Sequence, residues 1–144
     1  MRITELDLQC EDILWFTVDS ADHIIALTSA GYSNVPEYIC KDKETNEHLT
    51  DFFLQSELGT THAYLQVKYS DSSLVQDAIL LSSKGIFCYD SNLDSELHNY
   101  HCISIPEKPL LVSELPPEIQ DILADHRYSG DASQNAFIAV EHAY

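Results

Sequence analysis

The chain has 144 residues, 44% of them hydrophobic, and this length and composition predict one folded domain over residues 1–144 with its own core. Its 24 acidic and 7 basic residues give a formal net charge of −17 at pH 7. A field of this sign repels phosphate backbones and anionic lipids, so we expect no nucleic-acid and no membrane partner, and a basic protein is favoured instead.

The first predicted element is a β-hairpin. Residues 13–19 and 23–29 are rich in β-branched and aromatic side chains, and three residues separate the two runs. In the loop that follows, Gly31 is suited to a positive φ and Pro36 to the first turn of a helix. Apolar spacing then predicts a helix over residues 37–56, either continuous or broken in two by its polar middle.

The central part of the chain is predicted to contain a strand and a helix. Residues 63–69 alternate as a strand does. Asp71 or Ser72 is suited to cap a helix that ends before Gly85. A hairpin that pairs residues 78–82 with the following apolar run is the alternative, and the cap and the i, i+4 spacing favour the helix.

The C-terminal part is predicted to hold three strands and a short helix. Residues 86–90 and 101–105 read as strands joined by a polar loop, a short helix follows residues 113–118, and residues 136–142 form a closing strand. The buried face of that helix is expected to consist of Leu115, Ile119, Ile122 and Leu123. The mixture of elements predicts an α+β fold: a mainly antiparallel sheet with two to four helices packed on one of its faces.

Compartment and redox state follow from simple features. No apolar run approaches the ~20 residues that span a bilayer, and residues 1–7 lack the basic region and apolar core of a signal peptide, so the cytoplasm is the expected compartment. The cysteines are scattered without a CxxC pair, which favours buried free thiols over disulfides. They are Cys10, Cys40, Cys88 and Cys102.

Metal binding has one candidate in the sequence. Imidazole and thiolate groups suit zinc, and His98, His101 and Cys102 lie close together, with His126 or His142 as a further ligand in space. His98 and His101 would face opposite sides of a strand, which weakens a shared site. We therefore expect no metal.

Signatures of catalysis are missing from the sequence. The four glycines are isolated, so no phosphate-binding loop is present, and neither a GxSxG nor an HExxH pattern occurs. Nucleophilic chemistry by Cys40 with His48, or by Cys102 with His101, would need proximity that the sequence does not give. We expect a protein that is not an enzyme and has no cofactor.

Several segments of the chain follow a pattern found in one class of small bacterial proteins. They are Trp15-Phe16-Thr17-Val18-Asp19, His23-Ile24-Ile25-Ala26, Ser29-Ala30-Gly31, Val35-Pro36, Gly85-Ile86-Phe87-Cys88-Tyr89-Asp90, Tyr100 and Ile105-Pro106-Glu107-Lys108-Pro109-Leu110. The chain resembles immunity proteins of polymorphic toxin and contact-dependent inhibition systems. The resemblance implies a non-enzymatic protein that neutralises one cognate toxin domain by direct binding. The chain departs from the pattern at residues 20–22, where a glycine is expected.

The acids are spread evenly, with 13 acids and 4 bases in residues 1–72 and 11 acids and 3 bases in residues 73–144. An inhibitor of a basic, nuclease-like toxin gains speed and specificity from acids placed where the enzyme expects phosphate. Candidate contact residues are Asp42, Glu44, Glu47 and Asp51 around the first helix, and Asp90, Asp94 and Glu96 beside Tyr89. An ordinary solvated face is the alternative for each.

Two other functions stay open at this point. A regulatory or scaffold module would bind a partner through an apolar groove, and its acidity would serve solubility only. An enzyme or small-molecule carrier is the third hypothesis. The sequence carries no signal for oligomeric state.

Overall fold

The computed structural model describes residues 1–67 and 73–144, and these residues form one mixed sheet packed with helices. The helices are α1 (Glu5–Cys10), α2 (Glu37–Cys40), α3 (Lys43–Gln55), α4 (Ser73–Ser82) and α5 (Pro117–Leu123), with short 3-10 helices at Val112–Glu114 and Ala132–Gln134. The strands are β1 (Leu14–Val18), β2 (Ile24–Thr28), β3 (Ala63–Leu65), β4 (Phe87–Ser91), β5 (Tyr100–Pro106) and β6 (Phe137–Ile138). The predicted α+β class is confirmed, but the described residues contain five α-helices where two to four were expected.

The sheet has the strand order β1-β2-β4-β5-β3, and β6 also pairs with β5. The pairing of β2 with β4 is parallel and the other pairings are antiparallel. β1 and β2 form the predicted hairpin, with Leu14 opposite Thr28 and Val18 opposite Ile24. Its turn needs no glycine because Asp22 adopts the left-handed conformation, with φ of 62°, which aspartate tolerates better than most residues.

Both faces of the sheet are covered, so the expectation of a single covered face is wrong. Neighbouring residues of a strand face opposite sides, and in β1 both Trp15 and Phe16 are fully buried. Phe16 belongs to a core to which α3, α4 and α5 contribute. Trp15 belongs to a second core, to which α1, α2 and the second 3-10 helix contribute. An unbroken buried run in a strand is the pattern expected when both sides are packed.

The predicted helices are largely confirmed. The helix predicted over residues 37–56 is broken in two, because α2 ends at Cys40 and Asp42 caps α3 with extended backbone angles. The helix α4 decides against the hairpin alternative, and its proposed caps, Asp71 and Ser72, lie outside the described residues.

Three elements differ from prediction. The strand predicted at residues 63–69 pairs only over Ala63–Leu65, and residues 68 and 69 lie outside the described part. The closing strand is confined to Phe137–Ile138. The helix α1 was not predicted, because Leu8 is its only buried residue and no apolar stripe marks it. Its sequence signal is the capping box that Thr4 and Asp7 form.

The C-terminal end of α3 is closed by Lys84, from the turn that follows α4. Lys84 Nζ donates hydrogen bonds to the backbone carbonyls of Phe53, Leu54 and Ser56 at 2.9, 3.0 and 2.9 Å. The last turn of α3 has no basic residue of its own, so Lys84 supplies the positive charge that this end of a helix favours. The helix is thereby tied to the rest of the molecule at its far end.

The four cysteines are free thiols, and the prediction that they are buried is wrong for one of them. Cys40 and Cys88 are buried and Cys102 is half-buried, whereas Cys10 is exposed at the end of α1. In the described part of the chain, no helix combines the length and the apolar character needed to cross a membrane.

Candidate protein-binding surface

Helices α3 and α5 are neighbours in space, and both carry exposed acids. His48 Nε2 on α3 lies 3.0 Å from Glu118 Oε1 on α5. Phe52 and Ile122, one from each helix, pack against the same core. Seven carboxylates lie on these helices or at their ends, and we call this set the α3–α5 surface: Asp42, Glu44, Glu47, Asp51, Glu118, Asp121 and Asp125.

Asp42 stands at the edge of this surface and caps α3. Its half-buried carboxylate accepts hydrogen bonds from the Thr45 hydroxyl at 2.8 Å and from the Thr45 backbone N–H at 3.3 Å. These bonds, led by the one from the hydroxyl, lower the pKa of Asp42. Asp42 therefore stabilises the start of α3 in addition to contributing charge to the surface.

The other predicted acids of α3 are exposed on one side of the helix. Glu44, Glu47 and Asp51 follow one another at i, i+3 and i+7. Glu44 Oε2 lies 3.0 Å from the amino group of Met1. Glu47 and Asp51 form no ion pair with any described residue, and they repel each other because they are one turn apart. Their role in binding stays a prediction.

The acids of α5 complete the surface and were not among the predicted contact residues. Glu118, Asp121 and Asp125 are all exposed. The signal for Glu118 and Asp121 was available, because Ile119 and Leu123 mark the buried face of the predicted helix and acids at the other positions of an amphipathic helix point outward. The local pattern does not show, however, that α5 lies next to α3 in space.

Little positive charge balances the α3–α5 surface. Within the described residues, ion pairs involve only Glu44 and Glu118 of the seven acids, and the partner of Glu118 is a histidine. The nearby cations are Lys41 and Lys43 at the start of α3, Lys84 at its end, and Arg127, which follows Asp125 by two residues and is paired with Asp22. A potential of one sign at such a surface extends over about one Debye length, ~8 Å at physiological ionic strength.

The second predicted segment lies on other elements. Asp90, at the end of β4, accepts hydrogen bonds from Thr28 Oγ1 and from the Ser91 N–H, both at 2.7 Å. Its carboxylate is therefore engaged within the sheet. Asp94 and Glu96 are exposed in the loop between β4 and β5. The structure thus gathers the four predicted acids of α3 and leaves the other three apart from them.

The loop between β4 and β5 also exposes apolar side chains. Leu93 is 64% exposed and Leu97 is 74% exposed. The loop is held against the residues before α2, since the Tyr32 hydroxyl donates to the Ser95 carbonyl at 2.6 Å. This loop combines apolar and acidic groups at one place.

Comparisons with known proteins add no assignment to these surfaces. No protein-family model, curated protein or solved structure matches this chain. What the α3–α5 surface binds therefore has to be inferred from its geometry and its charge.

A different group of titratable side chains lies at the turn between β1 and β2. Asp19, His23 and Asp131 place their ligand-type atoms within 4.8 Å of one another. One oxygen of the fully buried Asp19 accepts from the N–H groups of Ala21 and His23, both at 2.9 Å. The other accepts from the Ala132 N–H at 2.7 Å and lies 2.9 Å from His23 Nδ1. Since both oxygens are filled, this group is a structural network that ties the hairpin to the C-terminal part of the chain.

The zinc candidate of the sequence is not assembled. Among the described residues, the group around Asp19 is the only set of three histidine, cysteine or acidic side chains with ligand atoms that close. His98 lies in the loop before β5, with Nδ1 3.1 Å from the Tyr32 carbonyl oxygen. His101 and Cys102 are half-buried in β5.

The thiols considered as nucleophiles are not activated. Burial raises the pKa of Cys40 to about 11 and that of Cys102 to about 12. Their sulfur atoms lie 3.9 Å from the Val35 carbonyl oxygen and 3.7 Å from that of Ser104. Both groups are therefore protonated at neutral pH, whereas nucleophilic cysteines react as thiolates.

Proposed function

We propose that this protein is a non-enzymatic binding protein whose α3–α5 surface binds and neutralises a basic protein, specifically a nuclease-like toxin domain. The observation that carries the proposal is the concentration of seven carboxylates on two adjacent helices, with an ion pair for only two of them among the described residues. The resemblance to immunity proteins in the sequence supports the same function.

The physical basis is electrostatic complementarity. A nuclease presents lysine and arginine side chains where it holds the phosphate backbone, and a surface of fixed carboxylates attracts the same groups. Helices hold the carboxylates more rigidly than a loop does, so less ordering is needed on binding. We therefore expect fast association that slows as salt is added.

The decisive experiment compares two variants of equal charge in binding to the product of the adjacent upstream gene. Each variant neutralises three acids, so that the net charge changes from −17 to −14 in both. The surface variant is Glu47→Gln, Asp51→Asn and Asp121→Asn. The control, with three exposed acids from elsewhere, is Glu5→Gln, Glu107→Gln and Glu141→Gln.

Surface plasmon resonance at low salt should show association about tenfold slower for the surface variant and nearly unchanged for the control. Equal effects of the two variants would mean that net charge, and not the α3–α5 surface, governs binding. A gene neighbourhood without a toxin-like gene would also count strongly against the proposal.

The exposed leucines favour a second candidate function, a regulatory or scaffold module that docks through apolar contacts. Leu93 and Leu97 are the side chains that such a partner would cover. Binding would then be nearly independent of salt and would be lost in a Leu93→Ser, Leu97→Ser double variant. Strong salt dependence together with full binding by that double variant would exclude this alternative.

A further inference from the structure

A cleft of about 190 Å³ opens between α2, α3 and the end of α5. Asn46 and His126 line it and are buried, with 7% and 3% of their surfaces exposed. Lys41 and Asp125 line it as well and are exposed, so they form its rim. A water molecule takes roughly 30 Å³ of the liquid, so the cleft has room for the end of a long side chain.

Two buried polar atoms in the lining side chains are unpaired. Asn46 Oδ1 and His126 Nδ1 have no hydrogen-bond partner among the described residues. Asn46 is oriented by its amide nitrogen, which donates to the Leu14 carbonyl at 3.0 Å, so Oδ1 is left as a free acceptor. The cost of removing such an atom from water is already part of the folded state, and a donor that reaches it gains a bond without that cost.

The unpaired nitrogen of His126 is an acceptor too. Burial, followed by the charge of Lys41, lowers the pKa of His126, and the backbone of Phe16 and the charge of Asp125 act in the opposite direction. The neutral ring carries one proton. The ring forms a hydrogen bond with the backbone of Phe16, and Nδ1 has no partner in the described structure. That hydrogen bond is therefore made by Nε2, to which the proton is assigned.

The chemistry of the cleft selects a cation with several N–H donors. Its two unpaired atoms are acceptors, and Asp42 and Asp125 add carboxylates. The rings of Tyr38 and His126 lie with their centroids 5.3 Å apart and their planes tilted by 34°, and they form an aromatic wall. A guanidinium group is planar, stacks on aromatic rings and offers five donors, whereas an ammonium group is a compact, strongly hydrated charge.

We propose that this cleft receives an arginine side chain of the basic partner, whose guanidinium group donates to Asn46 Oδ1 and His126 Nδ1 while Asp125 holds it at the rim. The inference rests on the proposed function and supplies the α3–α5 surface with an anchor. Both acceptors are closed to solvent in the free protein, so rim side chains move when the arginine enters. Lys41 also lies at the rim and its charge acts on His126, so its side chain has to swing outward as the arginine enters.

The cleft can be tested with a small probe, independently of any partner. We would titrate the isotope-labelled protein with N-acetylarginine amide and follow the side-chain signals of Asn46 and His126 by NMR. We expect saturable shifts of both signals, and none with N-acetylnorleucine amide. Unmoved signals, or equal binding of N-acetyllysine amide, would overturn the assignment to arginine.

Two matched variants separate the cleft from general attraction. Asp125→Asn removes a rim carboxylate, and Asp121→Asn removes an exposed carboxylate one turn earlier that does not line the cleft. We expect probe binding to weaken about tenfold in the first and less than twofold in the second. Equal weakening would leave only non-specific attraction and would overturn the inference.

A third variant removes the acceptor itself. His126→Phe keeps an aromatic ring and loses Nδ1, and the backbone amide shifts of the β1–β2 hairpin report whether the fold is kept. A folded variant should bind the probe about tenfold more weakly, and unchanged binding contradicts the inference. Should it not fold, the pair Asp125→Asn and Asp121→Asn decides.

The same pair distinguishes failure of the inference from failure of the proposed function. If the upstream gene product binds through the α3–α5 surface but treats Asp125→Asn and Asp121→Asn alike, the cleft is no anchor and the proposed function stands. If neutralising the acids of the α3–α5 surface leaves binding of that product unchanged, the proposed function fails. The inference then fails with it as a statement about the partner, whatever the probe does.

Discussion

Aspartate side chains have opposite roles in the network at the β1–β2 turn, around Asp19, and on the α3–α5 surface. Asp19 is buried, and its two oxygens meet three backbone N–H groups and the ring of His23. Asp51 and Asp121 are exposed and form no ion pair with a described residue. In a chain with 24 acids, the number of donors that face a carboxylate separates structural acids from those free to bind.

Replacing Asp19 should have the largest effect on stability. Asp19→Ala leaves three backbone N–H groups of the turn and of Ala132 without their acceptor, so we expect unfolding to become easier by about 3 kcal/mol or more. Asp121→Ala, on the surface, should change stability by less than about 0.5 kcal/mol. Urea unfolding followed by circular dichroism measures both.

Similar losses of stability in the two variants would contradict the distinction between structural acids at the turn and acids of the α3–α5 surface that are free to bind. A loss below about 1 kcal/mol for Asp19→Ala would show that water replaces the carboxylate at little cost.

Removing Lys84 should have the next largest effect on stability. This substitution tests whether the acidic helix α3 needs a cation at its C-terminal end. Lys84→Met keeps most of the apolar stem but leaves the carbonyls of Phe53, Leu54 and Ser56 without their donor. We expect a loss of about 2 kcal/mol in urea unfolding. The exposed Lys108→Met is the control, with a change below about 0.5 kcal/mol. Equal midpoints for the two variants would mean that α3 is held by its apolar face alone.

The pH dependence of stability probes the buried floor of the cleft. The pKa of His126 is lowered in the folded protein, chiefly by burial, so it lies below the unfolded value of about 6.5. When the pH falls below that value, the unfolded chain binds a proton that the folded protein does not. This contribution to stability is complete above pH 6.5 and is lost as the pH falls towards the folded pKa.

The comparison with His126→Phe isolates that contribution, because the other titrating groups are common to both proteins. Between pH 7.5 and 5.5 the urea midpoint should fall more in the wild-type protein than in the variant. Parallel curves would show that the imidazole titrates normally and that it is open to solvent.

The sequence predicts features that depend on local contacts, and it does not predict those that depend on contacts between distant residues. The hairpin, the broken helix and α5 follow from the periodicity of nearby side chains, which reports burial directly. The parallel pairing of β2 with β4 does not, since α2, α3, β3 and α4 separate these strands in the chain. Asp19 is an ordinary acid in sequence, because the N–H of Ala132 that fills its oxygen comes from 113 residues away. The cleft is hidden for the same reason, as Asn46 and His126 meet only when α3 and α5 pack.

The smallest expected effect, that of salt on stability, tests whether repulsion is concentrated on the α3–α5 surface. The protein carries a net charge of −17, so its melting temperature should be higher in ~0.5 M salt than at low ionic strength. Neutralising Glu47, Asp51 and Asp121 removes like charges from neighbouring helices, and this variant should gain less from salt than the equally charged variant at Glu5, Glu107 and Glu141. Differential scanning calorimetry at both ionic strengths measures the difference. If salt stabilises both variants equally, repulsion is spread over the whole molecule, and a partner would meet the same field from every side.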